Sequence, residues 1–220
     1  MARRLIRPLV ILAVACSAWA LDDGLVPDSR LIDRVRHDHG AAASQRVKDW
    51  GELLRRLPQM EEMARLDRIN RFFNRIPQGD DMSLWGERDY WASPLELLAK
   101  NGGDCEDFAL AKYFSLKSSG IAVEKLRITY VRAWIQKEKR MEAHMVLAYY
   151  PTPEAEPLIL DNLNPDILPA GDRGDLTPTH SFNADGLWSA RQRGQSGRMG
   201  DASSVKRWVD LLERMNKERN

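Results

Sequence analysis

The residues best suited to chemistry in this chain surround Cys105, in the sequence NGGDCEDFAL at 101–110. Apolar residues recur at helical spacing after the glycine pair, which predicts a helix that begins near the cysteine. A thiol in the first turn of a helix lies at the positive end of the helix dipole, where the reactive thiolate is stabilised. Cys105 is therefore predicted to be a reactive thiol, although the common role of a single cysteine is that of a small buried hydrophobic residue.

A cysteine nucleophile needs a base within hydrogen-bond reach and an acceptor that orients the base. His144 lies at the start of an otherwise apolar segment, 143–149, and Asp161 closes another, 157–161. If these segments are neighbouring antiparallel strands, the imidazole lies beside the carboxylate, and a helix docked across that end of the sheet adds the thiol. The pattern thus predicts a thiol–imidazole–carboxylate site. His180 is a weaker alternative base because its surroundings are loop-like.

Three acids, Asp104, Glu106 and Asp107, flank the predicted nucleophile. Their negative charges would raise the pKa of a nearby thiol unless a cation neutralised them. A hard divalent cation such as calcium, which prefers carboxylate oxygens, would do so. Acids in the first turn of a helix also stabilise the helix dipole, typically by less than about 1 kcal/mol each, and spacing alone favours that simpler role.

Helical apolar spacing dominates the first half of the chain. Residues 45–76 predict two helices separated at Pro58. The sequence SPLE at 93–96 combines a serine cap, a proline in the first turn and a glutamate that closes a capping box. This short helix is expected to stop before Gly102, and the cysteine helix is expected to end near Gly120.

Strand-like segments follow the helices. Residues 125–135, 143–150 and 157–161 are rich in Val, Ile, Leu and Tyr and are predicted to be strands. Residues 165–186 are loop-rich, and helical spacing returns at 203–219. Helices, then antiparallel strands, then a closing helix are typical of an α+β domain.

The beginning of the chain has the layout of a secretory signal peptide. Three arginines precede an apolar run at 9–15 that is too short to span a bilayer, and Ala18 and Ala20 supply the small residues that cleavage requires. Cleavage after Ala20 removes Cys16 and leaves Cys105 as the one cysteine. Acylation of Cys16 is the lipoprotein alternative. Both routes place the protein outside the cytoplasmic membrane.

The sequence thus divides into three predicted regions. They are a signal peptide at 1–20, a polar and loosely packed lead-in at 21–44, and a single domain at 45–220. A domain of this size is ordinary for a globular protein.

Composition excludes several function classes. The chain of 220 residues carries 33 Lys and Arg against 32 Asp and Glu, and this net charge of +1 does not favour nucleic acid or an anionic membrane as a partner. One cysteine after cleavage and four histidines exclude a cysteine-rich zinc site. No second apolar segment is long enough to cross a bilayer, so stable membrane insertion is not expected.

Three segments resemble the bacterial transglutaminase-like cysteine proteinases, and more closely the LapG-type periplasmic proteases. They are GDCEDFA at 103–109, AHMVL at 143–147 and LDNL at 160–163. The likeness extends from about residue 85 to residue 188, and it is specific because the motifs occur together.

The resemblance implies a papain-like or transglutaminase-like α+β fold, with a helical N-terminal part packed on an antiparallel sheet. It makes Cys105 the nucleophile, His144 the general base and Asp161 the group that orients the imidazole. It also implies calcium as the cofactor, with ligands at Asp104 and Glu106.

The resemblance further implies a biological role. The protein is expected to be a periplasmic, calcium-dependent cysteine endopeptidase that cuts the N-terminal region of a large surface adhesin next to a pair of alanines. Release of the adhesin would disperse a biofilm. The implied regulator is an inner-membrane receptor that senses cyclic di-GMP and sequesters the protease.

Two other functions stay open at this point. A transglutaminase or amidase uses the same thioacyl intermediate and differs only in whether an amine or water attacks it. A non-catalytic module that binds partners in a calcium-dependent manner would leave the thiol idle.

Overall fold

The computed structural model describes residues 25–189 and 198–218. The predicted signal peptide at 1–20 lies outside the described residues, and so does Cys16. The division of the rest into a lead-in at 21–44 and one domain at 45–220 stays a prediction.

The predicted helices are present in the predicted order, and the described residues contain one further short helix, α3 (Asp81–Trp85), that the sequence did not predict. The other helices are α1 (Ser29–Arg56), α2 (Glu62–Phe73), α4 (Pro94–Lys100), α5 (Cys105–Ser118) and α6 (Lys206–Glu218). The break predicted at Pro58 is confirmed, because the 3-10 turn Leu57–Gln59 separates α1 from α2. The predicted capping box of α4 is also confirmed. The Ser93 hydroxyl accepts the Glu96 N–H at 3.1 Å, and the Ser93 N–H donates to the Glu96 carboxylate at 2.7 Å.

The prediction of loose packing at 21–44 was wrong for the described part of that segment. The α1 helix already begins at Ser29, where the Asp28 carboxylate accepts the Leu31 N–H at 2.8 Å as an N-cap. Gly40 has a φ of 86° and kinks the helix without ending it. The apolar positions are few and widely spaced among charged residues, which hid the helical pattern. Three of the side chains between Ser29 and Ser44 are buried: Val35, Ala43 and Ser44.

The strands form one antiparallel sheet. They are β1 (Leu126–Ile135), β2 (Arg140–Tyr149), β3 (Leu158–Leu160), β4 (Leu168–Pro169), β5 (Leu176–Asn183), β6 (Gly186–Ser189) and β7 (Arg198–Gly200). Their order in the sheet is β4-β3-β2-β1-β5-β6-β7. The three strands expected from composition correspond to β1, β2 and β3.

The β5 strand lies where the sequence predicts mainly loop, at 165–186. It pairs antiparallel with β1, and its first half is polar and exposed at Thr177, Pro178 and Thr179. Because this half shows no alternation of apolar and polar residues, its strand character was hidden from the sequence.

The α5 helix is the central element of the core. Every residue from Asp107 to Leu116 is buried, and the helix contacts β1 and β2 of the sheet together with α2 and α4. A helix covered on all sides carries no polar face, which explains its run of Phe, Ala and Leu. The burial of α5 fixes the position of Cys105 at its N-terminus.

None of the helices in the described part of the chain combines the length and the apolar character that a membrane crossing requires.

Candidate active site

The loop before Cys105 is held by short-range packing and hydrogen bonds. The Gly79 N–H donates to the Gly103 carbonyl at 2.9 Å, and the Asp104 N–H donates to Asp107 Oδ2 at 3.2 Å. A Cβ on Gly103 would lie 2.6 Å from both Asp107 Oδ2 and Leu97 Cδ1. A side chain at position 103 would have to displace Asp107 or Leu97, both of which are fully buried, so the glycine before the acid and the cysteine has a steric cause.

The Cys105 thiol is partly buried and acid-flanked. Its Sγ donates a hydrogen bond to Glu106 Oε2 at 2.7 Å. Burial raises the pKa of the Cys105 thiol, and the charges of Glu106 and Asp104 raise it further. The backbone N–H of Met145, the residue after His144, opposes a part of this rise. Without a cation nearby, the thiol therefore holds its proton.

His144 and Asp161 are brought together as the sequence predicts. The strands β2 and β3 are antiparallel neighbours with Leu147 opposite Leu160, and Asp161 follows β3 directly. The His144 Nε2 lies 2.8 Å from Asp161 Oδ1, and the two residues are 6% and 1% exposed. An ionised carboxylate accepts only, so Nε2 carries the hydrogen and Nδ1 is the nitrogen left to act as a base.

The Asp161 carboxylate is fixed on both oxygens. Oδ1 also accepts the Leu163 N–H at 3.0 Å, and Oδ2 accepts Arg173 Nη2 at 2.7 Å. Burial alone raises the pKa of Asp161, but the His144 hydrogen bond and charge, the Leu163 N–H and Arg173 outweigh it and lower this pKa to about 2. The carboxylate is therefore a permanent acceptor at neutral pH.

Arg173 is a site residue that the sequence did not reveal. It is 3% exposed and forms ion pairs with Asp161 at 2.7 Å and with Asp175 at 2.8 Å. It lies in a loop after a 3-10 turn, where no local spacing pattern links it to the strand that precedes Asp161. A buried arginine could be expected only from the long-range pairing itself.

A second cluster of acids lies at the cysteine end of the site. Carboxylate oxygens of Asp81, Asp104 and Asp107 all lie within 4.8 Å of one another. Among the described residues, Asp81 Oδ1 and Asp104 Oδ1 are buried oxygens without a hydrogen-bond partner. Burial raises the pKa of Asp104 to about 9, with further increases from Glu106, Asp107 and Asp81. Such a group of oxygens suits a hard cation such as calcium.

The structure groups the predicted ligand Asp104 with Asp81, and it places Glu106 differently. The Glu106 side chain accepts the thiol hydrogen and is not one of the three acids within 4.8 Å. Asp81 was missed because 23 positions separate it from Asp104 and it lies on a different helix, α3.

Asp107 has a supporting role in this cluster. Its Oδ1 accepts the Ala92 N–H at 2.6 Å and its Oδ2 accepts the Asp104 N–H at 3.2 Å. Both oxygens therefore bind backbone, and they fix the loop that carries Asp104.

The alternative base, His180, lies on β5. Its ring stacks on Tyr130 with 4.2 Å between the ring centroids, and its Nδ1 lies 3.1 Å from the Thr179 hydroxyl. Burial lowers the pKa of His180. These contacts give His180 a packing role. His144, in contrast, has a carboxylate partner that orients its ring.

Comparison with protein families decides the class of this site. The model of the family described as bacterial transglutaminase-like cysteine proteinase matches residues 47–175, which is more than half of the chain. The chain belongs to this family. The matched span contains Cys105, His144, Asp161 and Arg173.

Three solved structures of one bacterial protein share the fold. LapG of Legionella pneumophila is 40% identical with a TM-score of 0.72, over 84% of this chain and 94% of that chain. Its EGTA-treated form is 41% identical with a TM-score of 0.73, over 84% and 96% of the two chains. Its calcium-bound form is 40% identical with a TM-score of 0.72, over 84% and 98%. A comparison with curated proteins gives no match.

The family and the fold expected from the sequence are thus confirmed. The chain has the transglutaminase-like cysteine proteinase architecture, and its described residues form a helical N-terminal part and a seven-stranded antiparallel sheet.

Proposed function

We propose that this transglutaminase-like cysteine proteinase is a calcium-dependent endopeptidase with Cys105, His144 and Asp161 as its catalytic residues. The observation that carries the proposal is the buried hydrogen bond of 2.8 Å between His144 and Asp161. His144 directly precedes Met145, whose backbone N–H lowers the pKa of the Cys105 thiol. Membership of a cysteine proteinase family supports the same chemistry.

The site residues perform the reaction in two stages. Asp161 holds the Nε2–H of His144, so that Nδ1 takes the proton of the Cys105 thiol and the thiolate attacks a peptide carbonyl. The Cys105 backbone N–H, at the start of α5, stabilises the oxyanion. His144 then gives its proton to the leaving amine. Water, activated by the same imidazole, hydrolyses the thioacyl-enzyme and frees the thiol.

Calcium is the proposed cofactor, held by the predicted ligands Asp104 and Glu106 and by Asp81. Two observations support it: the unpartnered oxygens of Asp81 and Asp104, and the existence of a calcium-bound form of the similar LapG. When bound, calcium supplies the positive charge that these acids lack. If Glu106 were a ligand, its carboxylate would no longer be available to accept the hydrogen of the Cys105 thiol.

The finer proposal concerns substrate, location and regulation. The substrate is the N-terminal region of a large surface adhesin, cut near an alanine pair, so that the adhesin is released and a biofilm disperses. The protease acts in the periplasm after removal of the signal peptide at 1–20, and an inner-membrane cyclic di-GMP receptor sequesters it. The likeness to LapG and the leader-like first twenty residues support these points.

The test is cleavage of a purified adhesin N-terminal fragment that contains an Ala-Ala pair, followed on a gel with calcium present. We expect the wild type to cut the fragment and Cys105→Ala to leave it intact. His144→Ala should be inactive, whereas the matched variant His180→Ala should keep most of the activity. Cleavage by Cys105→Ala, or loss of activity only in His180→Ala, would contradict the proposal.

The same reaction mixture separates the rival activities. A labelled amine added with a glutamine peptide should not be incorporated, because water attacks the thioacyl-enzyme. Incorporated label would favour a transglutaminase. Calcium-dependent retention of the fragment without any cutting would favour a binding module.

A further inference from the structure

A small cavity lies on the face of the sheet opposite to α5. Successive residues of β1 and β2 alternate between the two faces, so Ile128 and Leu147 join the main core whereas Val131 and Val146 form a second apolar cluster. The cavity on this second face has a volume of about 190 Å³. Strand residues form its floor, and the segment that contains Arg173 contributes to its wall.

Arg173 connects this cavity to the predicted catalytic pair. The side chain lines the cavity and is 3% exposed, and its Nη2 reaches Asp161 Oδ2 at 2.7 Å. On its other side, Nε and Nη2 bind the two oxygens of Asp175 at 2.9 and 2.8 Å. Among the described residues, Nη1 is buried without a hydrogen-bond partner. The guanidinium is therefore fixed by two acids, one of them the orienting group of the imidazole.

We propose that Arg173 is a positioning residue, which acts through Asp161 on the orientation of the His144 imidazole. The proposal rests on the function proposed above for the Cys105 site. Asp161 Oδ1 binds the ring of His144, and Asp161 Oδ2 binds the guanidinium of Arg173.

The physical reason is the rotation of the Asp161 carboxylate. The carboxylate can rotate about its Cβ–Cγ bond, and Leu163 and His144 both bind the same oxygen, Oδ1, so neither of them holds Oδ2. The arginine on Oδ2 stops that rotation and keeps a lone pair of Oδ1 aimed at Nε2–H. Loss of the arginine also leaves Oδ2 buried and unpaired, which favours a protonated or displaced carboxylate.

A purely structural role predicts something different. Arg173 also anchors the turn that contains Asp175, and loss of that anchor would disturb folding without a specific effect on the imidazole. Asp175→Asn is the matched control because it weakens the anchor and keeps the contact with Asp161. Its side chain is 42% exposed, so the substitution should be tolerated.

The first experiment measures kcat and KM of the full chain with calcium and a peptide that contains the alanine pair. Groups that orient an active-site residue typically contribute about 10- to 100-fold, so Arg173→Ala should lower kcat about 10- to 100-fold with KM nearly unchanged. Arg173→Lys keeps the positive charge but loses the planar array of guanidinium donors. Its kcat should therefore lie between the values of the wild type and Arg173→Ala. Asp175→Asn should stay within about threefold of the wild type in the same assay.

The second experiment is chemical rescue. The side chain removed in Arg173→Ala opens into the existing cavity, so guanidinium chloride at millimolar concentration should restore kcat about tenfold. Potassium chloride at equal ionic strength should not. Equal losses in Arg173→Ala and Asp175→Asn, or an increase in KM alone, would overturn the proposal. A loss of kcat in Arg173→Ala that guanidinium does not rescue, together with a lowered melting temperature, would also overturn the proposal.

A third measurement separates failure of this proposal from failure of the proposed function. The ¹³Cγ resonance of Asp161 is titrated by NMR in the wild type and in Arg173→Lys, which also covers the case in which Arg173→Ala does not fold. We expect a higher titration midpoint in the variant. An unchanged midpoint contradicts the role of Arg173 even if the protease is active. A wild type with no Cys105-dependent cleavage contradicts the proposed function even if the midpoint moves.

Discussion

Asp107 and Asp161 lie at the two ends of the candidate site and are almost equally buried, at 0% and 1% exposure. Burial raises the pKa of Asp107 to about 8, whereas the pKa of Asp161 is lowered to about 2 against the same effect of burial. Asp107 accepts two backbone N–H groups, but its charged neighbours Asp81 and Glu106 are also acids. Asp161 has Arg173 and His144 beside it.

Burial alone therefore does not decide the charge of these two carboxylates. The histidine end of the site consists of His144, Asp161 and Arg173, and the Arg173 guanidinium supplies its positive charge. The cysteine end concentrates acids around a thiol, and we propose that a cation from solution makes the thiolate favourable there. Substitutions and ions should therefore affect the two ends separately.

Calcium removal should have the largest effect, because it acts on the end without its own cation. We expect EGTA to lower cleavage activity about 100-fold or more, which corresponds to about 2.7 kcal/mol of transition-state stabilisation. Added calcium should restore the activity, and magnesium should restore it less well because it prefers a smaller octahedral site. Circular dichroism serves as the control for folding. Full activity in EGTA, or equal rescue by magnesium, would contradict the calcium site.

Asp161→Asn should break the histidine end and leave the cysteine end intact. An amide in place of the orienting carboxylate should lower kcat about 10³- to 10⁴-fold, because the imidazole loses its acceptor and adopts the wrong tautomer. Arg173 also loses a buried charged partner, so the free energy of unfolding should fall by about 3–5 kcal/mol. Calcium affinity, measured by titration calorimetry, should stay within about threefold of the wild type. A large change in calcium affinity would show that the two ends are coupled.

Asp81→Asn should have an intermediate effect on the cysteine end alone. One anionic ligand is lost, so calcium affinity should weaken about tenfold, and excess calcium should restore full kcat. Asp80→Asn is the matched control, because Asp80 caps α3 through the Ser83 N–H at 3.0 Å and asparagine caps equally well. Identical calcium affinities in the two variants would exclude Asp81 as a ligand.

Lys112→Met should have the smallest of these effects, and the property that it changes should be the stability of the fold. Lys112 lies on α5 with no exposed surface, and its Nζ has no hydrogen-bond partner among the described residues. Burial lowers the pKa of Lys112 to about 7, and only the charge of Asp161 opposes this. Replacement by an apolar residue of similar length should stabilise the fold by about 1–3 kcal/mol at pH 6.

The stability gain expected from Lys112→Met should depend on pH, because the folded and unfolded proteins bind different numbers of protons at residue 112. Between about pH 7 and the ordinary lysine value of 10.5, the unfolded wild type binds more protons at residue 112 than the folded protein does. The contribution of Lys112 to stability therefore rises with pH across this range. The advantage of methionine should be largest below pH 7 and should shrink toward pH 10. Melting curves of both proteins at pH 6 and pH 9 give the comparison, and an advantage that grows with pH would contradict it.

The two ends also differ in how far the sequence predicts them. Cys105, His144 and Asp161 follow from local patterns, since a helix start and two apolar strands carry them. Arg173 and Asp81 contribute through contacts that only the folded chain creates, between a loop and a strand end or between two helices. A local pattern contains no signal for such contacts.

The same distinction holds for the fold. The capped helices α4 and α5 and the apolar strands β1 to β3 follow from residue spacing. The β5 strand owes its conformation to pairing with β1, and the first half of α1 owes its position to a few buried side chains within a charged segment. Tertiary contacts decide these elements, so propensity alone does not predict them.

The most direct test of the account is the rate at which iodoacetamide alkylates Cys105 at pH 7, measured by mass spectrometry of the peptide that contains it. This peptide distinguishes Cys105 from Cys16. We expect alkylation at least about tenfold faster with calcium than with EGTA in the wild type, and slow alkylation under both conditions in His144→Ala. Equal rates with calcium and EGTA, or a fast rate in His144→Ala, would contradict the claim that an added cation and this imidazole together activate the thiol.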